Sequence, residues 1–296
     1  MCPPETQSTF RQRKGEKCSR SSTFRLWPSP TPFVIGRFPR TGHIFPFGGV
    51  LDSFQQMGPM ARSVDDLSLL LPLIAGPDHI DPGLVPMPLD DPKAVALTDL
   101  RVAFHSDNGI ITPSPETAKV VRDAAAILDD RGLIINAVRP HGIEQSYDLM
   151  IGLLSADGGA SIRRLLQDAG TKAHTLPWLG LAEPADATRF DALMLKWSRF
   201  RSIMLSFFKD YDLILSPVNA FPAMLPGSSG ADLEAFSYTM AYNMTGWPAA
   251  VVRGGTSPDG LPVGVQIVAH PWREDVALAV AGYLEKALGG FNPPPI

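Results

Sequence analysis

The stretch from residue 100 to residue 138 restricts the fold more than any other part of this chain. Residues 100–104 (Leu-Arg-Val-Ala-Phe) read as a short strand bounded by polar residues. Ser114 and Pro115 then open a helix as N-cap and first residue, because the hydroxyl satisfies a free N–H and proline has none to lose. Val120, Val121, Ala124, Ile127 and Leu128 recur at spacings of three and four to form its inner stripe, and Gly132 ends it. Residues 133–138 (Leu-Ile-Ile-Asn-Ala-Val) follow as a second strand. Strand, helix and strand with short joins make a βαβ unit, which requires parallel pairing and a right-handed crossover. The chain is therefore expected to be α/β.

The C-terminal half extends that expectation. Residues 144–209 read as mainly helical, with Phe190, Leu193, Met194, Trp197, Phe200, Ile203, Met204 and Phe207 as one continuous apolar stripe. An aromatic and methionine stripe at that spacing is a core face before it is a ligand site. Trp178, between two chain breaks, is a candidate cavity residue. Residues 211–218 form a buried-type strand, residues 260–268 a second with Val263, Val265 and Ile267 on one face, and residues 274–288 a closing helix.

Upstream, residues 52–78 are the most distinctive text. Gly58-Pro59 reads as a turn pair, since glycine tolerates positive φ and proline fixes its own. Ser63 is the expected N-cap of a helix, with Asp65 and Asp66 in its first turn. Val64, Leu67, Leu70, Leu71 and Ile74 give it one apolar face, and Gly76-Pro77 stops it.

Three segments in this order carry a resemblance. They are Asp52 with Gly58-Pro-Met-Ala-Arg-Ser-Val-Asp-Asp66, then Asn243-Met-Thr-Gly-Trp-Pro-Ala, then Gly260-Leu-Pro-Val-Gly-Val-Gln-Ile-Val. From about residue 37 to about residue 288 the chain resembles amidase-signature enzymes, which hydrolyse carboxylic amides with a Ser–cis-Ser–Lys triad. The resemblance implies a mixed β-sheet flanked by helices, a small-molecule amide substrate, and no metal or organic cofactor. It also places the end of strand 211–218 beside the substrate pocket. The matching positions are Asp52, Gly58, Pro59, Arg62, Asn243 and Gly246. Their residue types suit turn capping and ion pairing, so structural roles are expected for them.

The chemistry of that family needs a nucleophile, a base and donors for the oxyanion. Its sequence marks, a Gly-Gly-Ser-Ser-Gly-Gly loop and a Gly-Gly-Ser-Ile-Arg loop, precede the Asp52 region. Residues 1–51 contain neither: Ser21-Ser22 lacks flanking glycines, and Lys14 and Lys17 sit in a solvated basic run. Asp157-Gly-Gly-Ala-Ser161-Ile-Arg163 is similar to the second loop but carries an extra Ala160 and comes too late, so Ser161 is expected to be a helix-surface serine. His43, in a Gly/Pro loop, is a candidate general base or a hydrogen-bonded loop residue. No catalytic residue is assigned, and Asp129, Asp130, Ser155 and Asp157 have no metal-ligand spacing. The expectation is the C-terminal part of an amidase-signature domain, 36–296, lacking N-terminal core elements and inactive alone. A non-catalytic binding or subunit role is the alternative.

Residues 1–35 read differently. They are rich in Arg, Ser and Pro without helical or strand period, which predicts a disordered basic segment. Such text is also what a Gly/Ala/Ser-rich coding region yields when read out of frame. Residues 1–40 carry eight Lys/Arg against Glu5 and Glu16, so they are +6 within a chain of net −4. That net charge gives no reason to expect nucleic acid. Cys2 and Cys18 have neither a His partner nor metal-type spacing, and no apolar run approaches the ~20 residues of a membrane span. A cytoplasmic protein is expected; nothing in the sequence sets its oligomeric state.

Overall fold

The computed structural model describes residues 36–42, 49–55, 57–171, 179, 183–228, 230 and 232–293. The expectations for residues 1–35, His43 and Trp178 lie outside them. A short helix α1 (Gly49–Asp52) and α2 (Val64–Ile74) precede the first strand. Then come β1 (Arg101–Phe104), α3 (Pro115–Asp130), β2 (Ile134–Ala137), α4 (Ser146–Leu154), α5 (Ala160–Asp168) and α6 (Ala187–Phe207). The chain closes with β3 (Leu213–Pro217), α7 (Ser237–Thr245), β4 (Ala249–Thr256), β5 (Pro262–Ala269) and α8 (Glu274–Ala287).

The βαβ unit forms as read, with β1 and β2 parallel and Arg101 opposite Ile134. Its helix is closed at both ends by local chemistry. Ser114 Oγ accepts the N–H of Thr117. At the other end Gly132, at φ +98°, lets its own N–H reach Asp129 O and that of Leu133 reach Leu128 O. These two bonds satisfy carbonyls that the helix terminus leaves open.

The sheet runs in the order β2-β1-β3-β5-β4. β1 pairs with β3 in parallel, whereas β5 is antiparallel to both of its neighbours, so the sheet is mixed. Helices α2, α3 and α8 bury Leu67, Val121, Leu128, Ala277 and Leu284 against one face. Helices α4, α6 and α7 bury Leu153, Trp197, Met204 and Met244 against the other. β3 is buried along its whole length, as a strand covered on both faces must be. No helix among the described residues is long and apolar enough to cross a membrane.

Two local readings change. Gly58-Pro59 is not a turn: residues 57–61 run as irregular chain, and Pro59 is buried there. The inner face of α2 is narrower than its sequence stripe, because Val64, Leu67 and Leu71 are buried while Ile74 is 38% exposed. The helix also runs through Pro72 in its last turn, where the proline has no N–H to give the Ser68 carbonyl four residues back.

Candidate functional site

A recess of about 270 Å³ opens where the loop before α1 meets α6, walled by Phe38, Arg40, Asp52, Gln55, Trp197 and Arg201. Its polar side is organised by Arg40. The backbone N–H and Nε of Arg40 both donate to Asp81 Oδ2 at 3.0 Å, and Nη2 donates to Oδ1 at 2.8 Å. Its Nη1 lies 2.7 Å from Asp52 Oδ2 and donates to the Asp52 carbonyl at 3.1 Å. One guanidinium thus ties α1 to the loop after α2. Gly83 makes room for it, since a Cβ there would stand 2.7 Å from Arg40 Nη2. The hydrogen bonds from Arg40 hold the Asp81 carboxyl down to about 2.

The apolar side is set by α6. Trp197 is buried, donates its indole N–H to Met244 O at 2.9 Å and meets Phe54 edge to face at 5.1 Å. The Arg201 guanidinium lies 5.6 Å from the Trp197 ring centre, a cation over an aromatic face at the mouth of the recess. Both polar atoms of the Gln55 carboxamide are buried with no hydrogen-bond partner. The recess therefore combines an aromatic wall, an exposed cation, a neutralised arginine and a carboxamide held out of water.

The carboxylate among the described wall residues, Asp52, is paired with Arg40. The hydroxyl there, Ser53 Oγ, donates to Gly49 O at 3.2 Å, and no His or Lys lines the cavity among the described residues. No group of three His, Cys, Asp or Glu side chains among the described residues is placed to hold a metal ion.

Of the six positions singled out in the sequence, the recess takes Asp52 alone. Arg62 is exposed, with its guanidinium 5.5 Å from the Phe291 ring centre. Asn243 is half-buried in α7, and Gly246 caps that helix at φ +71° with its N–H on Tyr242 O. Ser161 sits in the first turn of α5, its N–H donating to Asp157 Oδ2 at 2.8 Å. Sequence reasoning missed Arg40, Asp81 and the outward role of Trp197. The only available signal was the pair of arginines in the Gly/Pro-rich text of residues 36–42, which has no period to read.

The family model for Amidase matches residues 34–278. The chain belongs to the amidase family. Its relatives include acylamidase of Rhodococcus erythropolis, 29% identical over 87% of this chain and 58% of that protein. Human fatty-acid amide hydrolase 2 is 28% identical over 90% of this chain and 54% of its own. A glutamyl-tRNA(Gln) amidotransferase subunit of Desulfotalea psychrophila is 28% identical over 86% and 60%. The chain thus spans little more than half the length of these amidase relatives. Among solved structures, 6-aminohexanoate cyclic dimer hydrolase complexed with substrate superposes with a TM-score of 0.73, at 24% identity, over 88% of this chain and 61% of that one. A structure described as a vestigial protein complex revealing the origins of an s-triazine catabolic enzyme gives 0.72 at 21% identity, over 88% and 58%. Both share the amidase fold with this chain.

Proposed function

We propose that this chain belongs to an amide C–N hydrolase system, contributes the wall of an amide-binding recess, and by itself turns over no amide. The names of the relatives, an acylamidase and a fatty-acid amide hydrolase among them, support the amide class. The observation that carries the inactivity is the state of the lysines. Lys93, Lys119, Lys196, Lys209 and Lys286, all those among the described residues, are exposed. None of them lines the recess, so none stands where it could take a proton from a hydroxyl there. Residues 1–51 add no glycine-flanked serine pair, and so no such loop whose backbone N–H groups could bind an oxyanion. Asp52, Arg62, Asn243 and Gly246 act as frame: an ion pair, a surface cation over a ring, a helix residue and a helix cap.

The test is a panel of anilides and primary amides given to the purified chain, followed by a serine-reactive phosphonate and peptide mapping. No hydrolysis above buffer and no labelled serine are expected. Turnover with stoichiometric label on one residue, Ser161 included, would overturn the reading. A second reading is a non-catalytic role within a complex. It is favoured because one relative is named as part of a multi-chain amidotransferase and one structural neighbour is described as a vestigial complex. It expects a stoichiometric partner to co-purify with the chain, and a chain that purifies alone and monomeric argues against it.

A further inference from the structure

His105 leaves the carboxyl end of β1 and is used by none of the chemistry above. Its N–H donates to Leu215 O at 3.1 Å, which extends the β1–β3 pairing by one residue. Strand alternation then points its side chain to the same face as Ala103, toward α4 and α7. His105 is only 7% exposed. Its Nδ1 lies 3.2 Å from Asp107 O, a contact that needs the proton on Nδ1. The other nitrogen, Nε2, is buried and meets no partner.

The segment that follows is held to α7 at two points. The Tyr238 hydroxyl lies 2.9 Å from Ile111 O and 3.3 Å from Ser106 O, so its single proton sits between the two ends of the segment. Asn108, fully buried, donates from Nδ2 to Ser237 Oγ at 2.8 Å, while its Oδ1 accepts the N–H of Ile110 at 3.0 Å. Residues 106–111 thus lie strapped over the end of the sheet, with His105 at the root. In open α/β sheets the carboxyl ends of the strands are where ligands reach the fold.

We propose that His105 is an acid-sensitive latch, and that a proton on Nε2 releases residues 106–111 from α7. The added proton would create a charged donor in a place that offers it no acceptor. The charged groups that face it are Asp107, in its own segment, and Arg139, in the connection after β2. The Arg139 Nη1 is 4.0 Å from Asp107 Oδ1, so its cation both opposes a second positive charge and shields the carboxylate that would welcome one. From α7 comes Tyr238, whose phenol is pushed up by burial and stays neutral.

Burial first, and then the charge of Arg139, hold the imidazole down to about 4, while the backbone contact to Asp107 pulls the other way. A base whose folded value is depressed favours the closed form at neutral pH and loses that preference as pH falls from its ordinary value of about 6.5 toward 4. If the opened segment restores the ordinary value, the ratio of closed to open falls about twentyfold between pH 7 and pH 5.

Hydrogen exchange followed by mass spectrometry, corrected for intrinsic rates, reads this directly. Protection of the amides of residues 109–111 is expected to fall about twentyfold from pH 7 to pH 5. Over the same range β4 and β5 should keep theirs. His105→Phe, apolar and of similar size, is expected to remove that pH response. Tyr238→Phe is expected to raise exchange in the segment at every pH while leaving the response in place. Unchanged protection at pH 5, loss in step with the whole sheet, or the same response in His105→Phe would each overturn the latch. Should His105→Phe fail to fold, the imidazole titration of the intact protein by NMR decides. Protonation near 6.5 with the segment still protected overturns it, and protonation near 4 accompanied by exchange in the segment supports it.

Discussion

Arg37 and Glu274, 237 residues apart, form an ion pair with both side chains 2% exposed. Arg37 Nε lies 2.5 Å from Oε1 and Nη2 donates to Oε2 at 3.0 Å, a bidentate geometry. Nη1 donates to Met87 O, and the guanidinium stands 4.9 Å from the Trp272 ring centre. Glu274 is the first residue of α8, where the helix end also favours a carboxylate. Arg37→Met would strand that carboxylate in the interior and leave the Met87 carbonyl without this donor. Breaking one side of a buried pair costs about 3–5 kcal/mol, a large share of a domain's usual total of about 5–15. Glu274→Leu should cost a similar amount by stranding the guanidinium. The double variant, with both groups replaced by apolar ones of similar bulk, should recover most of the loss. Urea unfolding followed by tryptophan fluorescence measures all four corners of the cycle. At a slope of about 2 kcal/mol per M, each single change should move the midpoint by about 2 M. A single-variant cost below about 1 kcal/mol would mean that the pair behaves as a solvated one. Additive single costs in the double variant would refute the coupling itself.

Two further outcomes come from close contacts and from charge. A Cβ on Gly254 would stand 2.2 Å from Val120 Cγ1, at the irregular step where β4 shifts register beside α3. Gly254→Ala should therefore lower stability by about 1–3 kcal/mol, and Val120→Ala in the same chain should return part of it. Equal costs in both backgrounds, by thermal melts, would show that the contact is not the cause. Asp81, held down to about 2 by Arg40, contributes stability that is full above the ordinary carboxylate value of about 3.9 and is lost as pH falls toward 2. Asp81→Asn should flatten the acid-unfolding profile in that window, and an unchanged slope between pH 4 and pH 2 would count against the Arg40 pairing.

What the sequence revealed and what it hid separate along one physical line. Helix α3 could be read residue by residue because its stripe, its Ser114 cap and its Gly132 terminus are all local statements about a few consecutive residues. Gly246 was read only as a position whose residue type suits a turn, and its place as the left-handed cap of α7 comes from the structure. The order of the sheet was not legible, because β3 lies between a parallel and an antiparallel neighbour and nothing inside Leu213–Pro217 names either one. The recess was hidden more deeply. Arg40 and Asp81 are 41 residues apart in text without period, and Trp197 looks like an ordinary core residue in its stripe. That appearance is half true: the indole N–H is committed to Met244 O inside the core while Arg201 lies over the ring at the recess.

The same line explains why the amidase resemblance was easier to see than any site. Asp52, Gly246 and the strand residues Val263, Val265 and Ile267 carry constraints of pairing, capping and burial that a short string can display. A site is a coincidence of distant side chains, and here its members come from the loop before α1, the loop after α2 and the middle of α6. Its chemistry belongs to none of those segments taken alone. Matching strings therefore establish the frame one local element at a time, and the use to which the frame is put has to be tested at the recess itself.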